Sequence, residues 1–511
     1  MKYALKYRSQ SKKESLRQRI GITSLNKAKK IYEPDFPLLV VCLAIVFLQG
    51  CKKLVEVDPP VNNITAANVY STDLTAANVL TGLYIKMSRE NATFQNEGYI
   101  ATIFNAAGLS SDELGLFDSE YSGSNFNLYS KNELTALQSP GFWVNIYTDL
   151  FVANSAIEGI SQSSDLSSGV KEQLLGEAKF MRAFYLFYLI NLYGDIPLAT
   201  TTDYKINRQL PRASKSTVCQ QIISDLKEAQ SLLSEDYKGG DAMSNVTERV
   251  RPNRYTATAL LARAFLYEAS EADNTWAQAE EEASKIISNS QYDTVALGEV
   301  FLNTSKEAIW QLQPVRGGIN GNSGESKFFV LPEMKNFAYP VHLSNAVVQS
   351  FETNDRRRME WIGNVTYDGT VYFYPNKYKI AQGIDAPSTE YSTIFRLAEQ
   401  YLIRSEARAH QNNLTGSAED LNVIRKRAGL PNTSATTKED LLTAIMHERK
   451  VELFTEGGHR WFDLKRTGKA DVVLKTIKGA TWQSTDQLYP IPSREIAKSP
   501  SLQGQQNPGY Q

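Results

Sequence analysis

Two stretches of the chain repeat each other 141 residues apart. Leu261-Ala262-Arg263-Ala264 and Leu402-Ile403-Arg404-Ser405 each open an apolar-periodic segment, and the ungapped offset sets Ala277 against Ala418. Each unit reads as a helix, a short polar turn (residues 271–275 and 411–417), then a second helix beginning at that alanine. Arg182-Ala183-Phe184 echoes Arg263-Ala264-Phe265 a third time. Small residues at fixed places on paired helices suit tetratricopeptide-type packing, where alanine lets neighbouring helices approach closely. Ala and Leu are also the best helix formers, so any amphipathic helix pair shares this look, and the repeat alone leaves both readings open.

The clearest single helix spans residues 170–193, where Leu174, Leu175, Ala178, Met181, Tyr185, Tyr188, Leu189 and Leu192 form a wide apolar face. Gly194-Asp195-Ile196-Pro197 stops it. Residues 216–233 repeat the pattern with Val218, Ile222, Leu226, Ala229 and Leu233. Residues 90–141 and 309–390 do not read as helix; they carry Gly, Ser, Asn, Pro and many aromatic rings, with β-like runs such as 370–374. Long structureless loops are usually functional or disordered, and their ring content argues against disorder.

With 42% hydrophobic and 22% charged residues among 511, the composition is that of a globular protein and excludes a multi-span membrane protein. Residues 1–50 hold 10 Lys/Arg against 3 Asp/Glu, which leaves 45 against 53 for the remainder. A body that acidic is a poor fit to phosphate-neutralising nucleic-acid binding, so no nucleic-acid partner is expected.

The N-terminal segment reads as an address. The unbroken apolar run from Leu38 to Leu48 is shorter than the ~20 residues a membrane-spanning helix needs. It follows a basic patch (Lys27, Lys29, Lys30), as in a secretory signal. Leu48-Gln49-Gly50-Cys51 resembles the bacterial lipobox, in which cleavage leaves a lipidated cysteine, here Cys51. An uncleaved anchor helix is the competing reading. With Cys42 removed and Cys51 acylated, Cys219 stands alone and no internal disulfide is expected. The long basic stretch before Glu33 suggests translation starting further along, near Leu25.

Motifs for chemistry are missing. The Gly-rich run 317–324 lacks the Lys-Ser/Thr of a phosphate loop. His447-Glu448 has no second His at zincin spacing, and four His in all offer no metal cluster. No cofactor, metal or catalytic residue is expected. Asp112-Glu113 supplies half of a glycosidase carboxylate pair, which needs a partner across a cleft.

Several motifs together resemble the SusD/RagB family of outer-membrane nutrient-binding lipoproteins. They are Leu54-Val55-Glu56-Val57-Asp58-Pro59-Pro60 after the lipobox, and Gly176 to Tyr185 (GEAKFMRAFY) running on to Leu192-Tyr193-Gly194-Asp195-Ile196-Pro197. Arg396 to Ala407 (RLAEQYLIRSEA) follows, with Leu421 to Leu430 (LNVIRKRAGL). Next come Glu448-Arg449-Lys450-Val451-Glu452-Leu453 and Trp461-Phe462-Asp463-Leu464-Lys465-Arg466, and last Tyr489-Pro490-Ile491-Pro492 with Asn507-Pro508-Gly509-Tyr510.

The resemblance implies a mainly α, SusD-like fold in which tetratricopeptide-type helix pairs support an irregular, loop-rich half with minor β. It implies residues 1–50 as extension and signal and a body of 51–511, divided into an N-terminal region of about 60–235 and a C-terminal region of about 250–511. It also implies a lipid-anchored, outward-facing outer-membrane protein that is not an enzyme. Such a protein captures oligosaccharide and passes it to a SusC-like TonB-dependent transporter. Glu448, Arg449, Glu452, Arg460 and Asp463 read as a buried ion network fixing one helix to its neighbours.

Sugars are gripped by aromatic faces and by polar groups that pair their hydroxyls. On that basis the candidate ligand residues are Asp112, Tyr121, Asn125, Tyr129, Tyr339 and Trp361. Phe117, Phe126, Phe328 and Tyr372 are further ring candidates, and Glu113 and Asn336 further polar ones. An all-helical surface glycoside hydrolase and a tetratricopeptide scaffold for protein or peptide partners are the alternatives.

Overall fold

The structure is a computed structural model that describes residues 69–88, 99–117, 125–139, 141–268, 274–316, 319–320, 322–334, 341–380 and 388–510. Its contacts separate Met1–Asn63 from Ile64–Gln511, and every described residue belongs to the second unit. The longer helices are α1 (Asp73–Ser88), α2 (Tyr99–Ser110), α3 (Phe142–Gln162), α4 (Ser168–Tyr193), α5 (Lys215–Leu232) and α6 (Arg254–Glu268). They continue with α7 (Thr275–Ile287), α8 (Leu397–His410), α9 (Leu414–Arg427), α10 (Lys438–Glu452), α11 (His459–Arg466) and α12 (Ala470–Lys478).

The strands pair antiparallel in twos: β1 (Leu114–Leu116) with β3 (Val341–Leu343), and β2 (Ala308–Leu312) with β6 (Ser392–Arg396). β4 (Ile362–Tyr367) and β5 (Thr370–Pro375) form a hairpin. None of the helices among the described residues is long and apolar enough to cross a membrane.

The wide apolar face read for residues 170–193 is an underestimate. From Phe180 to Tyr193 every residue of α4 is buried, because α3 and α5 pack along it and the rest of the core closes round. Its buried charges are matched individually. Arg182 donates two hydrogen bonds to Asp225 of α5, at 2.8 and 2.6 Å. Glu177 meets Arg251 and accepts from the Tyr84 hydroxyl at 2.7 Å. Gly194 ends the helix at φ +72°, where a Cβ would sit 3.0 Å from the Leu488 side chain.

The repeated units are helix pairs, as expected. α6 packs on α7, α7 on α8 and α8 on α9, so the pairs stack in series. The repeat arginines tie the stack: Arg404 bonds Asp420 of α9 at 2.9 and 2.7 Å, and Arg263 of α6 bonds Glu399 of α8 twice at 2.6 Å. The second turn is shorter than residues 411–417. The Asn413 side chain accepts the Gly416 N–H at 3.0 Å and caps α9, which therefore starts at Leu414 rather than Ala418.

Residues 90–141 contain helix after all: α2, with Ile103, Phe104 and Ala107 buried, and the short helix Asn125–Lys131. Core burial of its apolar positions overrides the local Gly and Asn content. Residues 309–390 hold the expected strand at 370–374 as part of β5, together with short helices at Gly324–Phe329, Asn345–Val348 and Arg356–Trp361.

The anticipated ion network is larger than the motif that announced it. Glu452 of α10 meets Arg357 at 2.9 Å, Arg396 at 2.5 Å, and Arg427. Arg396 also reaches Glu307 at 2.9 Å and Glu456 at 2.6 Å, while Glu448 takes Arg357 at 2.6 Å. Burial alone would raise the Glu452 carboxyl; Arg427, Arg396 and Arg357 overcome it and hold it well below the carboxylate range. Arg449 bonds Asp463 at 2.7 Å, whereas Arg460 turns away from this network. The turn between α10 and α11 runs through Thr455, Gly457 and Gly458 at φ +59°, +57° and +71°. At Gly458 a Cβ would press on Ala107 and Phe462 at 3.1 Å.

Candidate ligand platform

Against this frame one cluster of rings stands apart from the main core. β1 delivers Phe117 to the hairpin of β4 and β5, and β3 delivers His342 beside it. Phe117 lies 4.7 Å from Tyr372, 5.1 Å from His342 and 5.9 Å from Tyr367, centroid to centroid. Tyr372 lies 5.3 Å from His342 and 5.8 Å from Tyr367. Phe117 and Tyr367 are buried and Tyr372 and Tyr374 half-buried, while Val371, 51% exposed, alternates with Tyr372 and lies on the other face of the hairpin.

Local sequence explains the assembly. Asp368 and Gly369 turn the hairpin at φ +50° and +78°, the left-handed pair of a two-residue hairpin turn. Gly115 and Gly363 leave room for rings: a Cβ would fall 2.5 Å from the His342 imidazole and 2.2 Å from Tyr374. The Tyr367 hydroxyl donates to the Pro332 carbonyl at 2.5 Å, which fixes that ring.

The base of β1 is locked by Asp112 and Glu113. Arg460 of α11 donates to both Asp112 oxygens at 2.6 and 2.9 Å, with Lys450 of α10 at 3.2 Å. Burial works to raise the Asp112 carboxyl; its hydrogen bonds and charge contact with Arg460, aided by Lys450, bring it below its ordinary value. Ser344 donates its hydroxyl to the Asp112 carbonyl, and its N–H to the Glu113 carbonyl at 2.9 Å. The Glu113 carboxyl accepts the Thr455 N–H at 3.3 Å. Burial, reinforced by the Asp112 charge, pushes Glu113 up to about 8, so it is a neutral acid at pH 7.

The six candidate ligand residues therefore separate. Asp112 is buried at the foot of the platform and its carboxylate is taken up by Arg460 and Lys450. Tyr129 is buried against Phe142 and Tyr489, at 6.2 and 5.7 Å. Trp361 is wholly buried, donates its indole N–H to the Leu297 carbonyl at 3.0 Å, and lies 5.0 Å from the Lys377 ammonium beside the ion network. Neither ring offers an open face; both sit on short helices whose inner side is core, which loop-like composition did not reveal. Tyr121, Tyr339 and Cys51, the residue expected to carry the lipid, lie outside the described residues, as does Asn336. Asn125 begins a short helix, and its side chain is outside the description.

Of the further rings, Phe117 and Tyr372 come together in the platform, and Phe126 stacks on Phe328 at 6.2 Å. Tyr367, Tyr374 and His342 are platform residues that the sequence reading passed over. The signal was present: Asp368-Gly369 between two β-branched and aromatic runs is a hairpin signature. Among the described residues there is no group of three or more His, Cys, Asp or Glu able to hold a metal ion.

A separate ring cluster thus sits beside a scaffold of stacked helix pairs. A family model described as the SusD family matches residues 363–510, and a second, described as starch-binding associating with outer membrane, matches residues 69–266. The chain belongs to the SusD family, a family of binding proteins rather than enzymes. Among its relatives, SusD-like protein P38 of Formosa agariphila is 23% identical, with 91% of this chain and 97% of that protein aligned. A SusD-like protein of Bacteroides ovatus is 24% identical over 84% of this chain and 81% of its own length.

The fold is shared with a SusD superfamily protein from Parabacteroides distasonis, with a TM-score of 0.71 and 22% identity over 88% of this chain and all 100% of that one. It is shared also with surface glycan-binding protein A from Bacteroides thetaiotaomicron, solved with laminarihexaose. There the TM-score is 0.69 and the identity 19%, over 85% and 99% of the two chains.

Proposed function

We propose that the chain is an outer-membrane glycan-binding lipoprotein, anchored through Cys51 and facing outward, that captures oligosaccharide and delivers it to a SusC-like TonB-dependent transporter. The observation that carries this reading is the cluster of buried and half-buried rings formed by Phe117, His342, Tyr367 and Tyr372. Flat aromatic faces receive the C–H surfaces of sugar rings, and nothing in capture requires a reacting group. The family description of association with the outer membrane and the laminarihexaose held by a structural relative support it. On this reading residues 1–50 are a signal with its extension, and 51–511 the mature body with its two regions, about 60–235 and about 250–511.

A hydrolase is disfavoured by the carboxylates. Asp112 is spent on Arg460 and Lys450, and its neighbour Glu113 points into the α10–α11 turn instead of across a cleft. Isothermal calorimetry of the mature chain against a glycan panel tests capture: the expected result is saturable binding of one glycan class without product release, and heat from none of them defeats the reading. Fractionation of a Cys51→Ser variant tests the anchor, since a variant still pelleting with membranes is incompatible with it.

A further inference from the structure

A second set of rings lies on different elements. On α3, Trp143, Tyr147 and Phe151 follow one another at four-residue steps, so they share a face and climb by about 6 Å per step. They pass from floor to rim: Trp143 is 4% exposed and Phe151 51%. Trp143 and Tyr147 lie 4.9 Å apart, and the Tyr147 hydroxyl donates to the Pro197 carbonyl at 2.7 Å, which fixes its ring. With residues of the 197–210 segment and of the helix Ser493–Lys498, this ladder lines a groove of about 520 Å³, within the size range of small-ligand sites.

The polar groups in the groove are of both kinds. Asn207 donates its amide N–H to the Thr201 carbonyl at 2.7 Å, while its side-chain oxygen is enclosed with no hydrogen-bond partner. At the edge stand the exposed Arg208 and the Glu495–Lys498 ion pair at 3.0 Å.

We infer that this ladder is a second glycan-contacting groove, separate in its residues from the platform; the inference rests on the reading of the chain as a glycan binder. A sugar chain presents apolar faces in series together with hydroxyls that both donate and accept, which matches successive rings edged by a guanidinium, a carboxylate and an ammonium. An apolar protein segment seated there would strip water from those charges without pairing them. Two grips on one polymer make the second contact intramolecular, so retention of long chains exceeds that of short ones without any tighter single site.

The test uses the mature chain with laminarihexaose, maltohexaose, xylohexaose and chitohexaose as probes, read by native mass spectrometry for stoichiometry and by affinity electrophoresis in the parent polysaccharide. The expected result is two oligosaccharides per chain for the recognised probe, falling to one in Tyr372→Ala and to one in Phe151→Ala or Arg208→Ala. Both groove substitutions fall on exposed side chains, so folding is preserved. Retention in the polysaccharide gel should drop about tenfold in Phe151→Ala while platform binding of the hexasaccharide stays unchanged.

A single bound hexasaccharide that disappears in Tyr372→Ala and survives Phe151→Ala overturns the groove and leaves the proposed function standing. No probe bound by the parent chain overturns both. A groove variant that impairs uptake by cells but not glycan stoichiometry identifies a protein-docking face, and the glycan groove is then wrong.

Discussion

The ion network around Glu452 and the ring cluster around Phe117 are both built from segments distant in sequence, yet they respond to change in opposite ways. In the network each charge answers for several others: Arg396 alone faces Glu307, Glu452 and Glu456. Removing one member strands buried charge. In the ring cluster the side chains meet through faces and edges, and truncating Tyr372 removes contact without stranding a charge. The helical side is thus a part that tolerates almost no re-lettering, and the platform a part that accepts it. A scaffold of this design can change its ligand while keeping its frame.

The sharpest break of this contrast is Arg396→Met, which takes from Glu307, Glu452 and Glu456 the buried guanidinium they share; a loss of about 3–5 kcal/mol in urea unfolding is expected, with glycan affinity of the folded fraction unchanged. A loss under 1 kcal/mol would mean the network behaves like a surface pair.

Next comes the joint between the two regions. Glu113 is raised to about 8 in the folded chain from an ordinary 4.5, so the folded state holds its proton longer than the unfolded chain does. Its contribution therefore falls as pH climbs from about 4.5 to about 8 and stays lost above. Glu113→Gln should flatten that descending limb in melting temperature against pH, and a variant whose profile overlays the parent's refutes the assignment.

Smaller again is Tyr372→Ala, expected to weaken oligosaccharide binding about tenfold, or about 1.4 kcal/mol, while costing less stability than Arg396→Met does. Equal losses in both readouts would erase the distinction between platform and frame. The most local effect belongs to Gly369→Ala at φ +78°, about 1 kcal/mol of strain. Hydrogen exchange should show it confined to β4 and β5; protection lost in α10 would tie the hairpin to the frame more tightly than its contacts indicate.

The helical side was legible because its cause is local. Periodic apolar residues mark α4, α5 and the two helix pairs within a turn or so of their true ends, and the spacing of Glu448, Arg449, Glu452 and Asp463 put charges on one helix and its exit. The remaining cations of the network, Arg357, Arg396, Arg427 and Lys377, come from segments whose meeting is decided only by tertiary packing.

The candidate site was legible in part. Phe117 and Tyr372 were recognised as loop rings and do meet, but loop-like composition also recommended Tyr129 and Trp361, which the core absorbs. Asp112 looked like a free acid because its partner Arg460 stands 348 residues away. A carboxylate's availability is a property of the fold, and no window of sequence contains it.

The hairpin tip at Asp368 and Gly369 is exposed to solvent. A cysteine grafted at Asp368 and coupled to an environment-sensitive dye would report sugar arriving at Tyr372 optically. The one native thiol among the described residues, Cys219, is buried and would compete little for the label. The architecture thus lends itself to a reagentless glycan sensor.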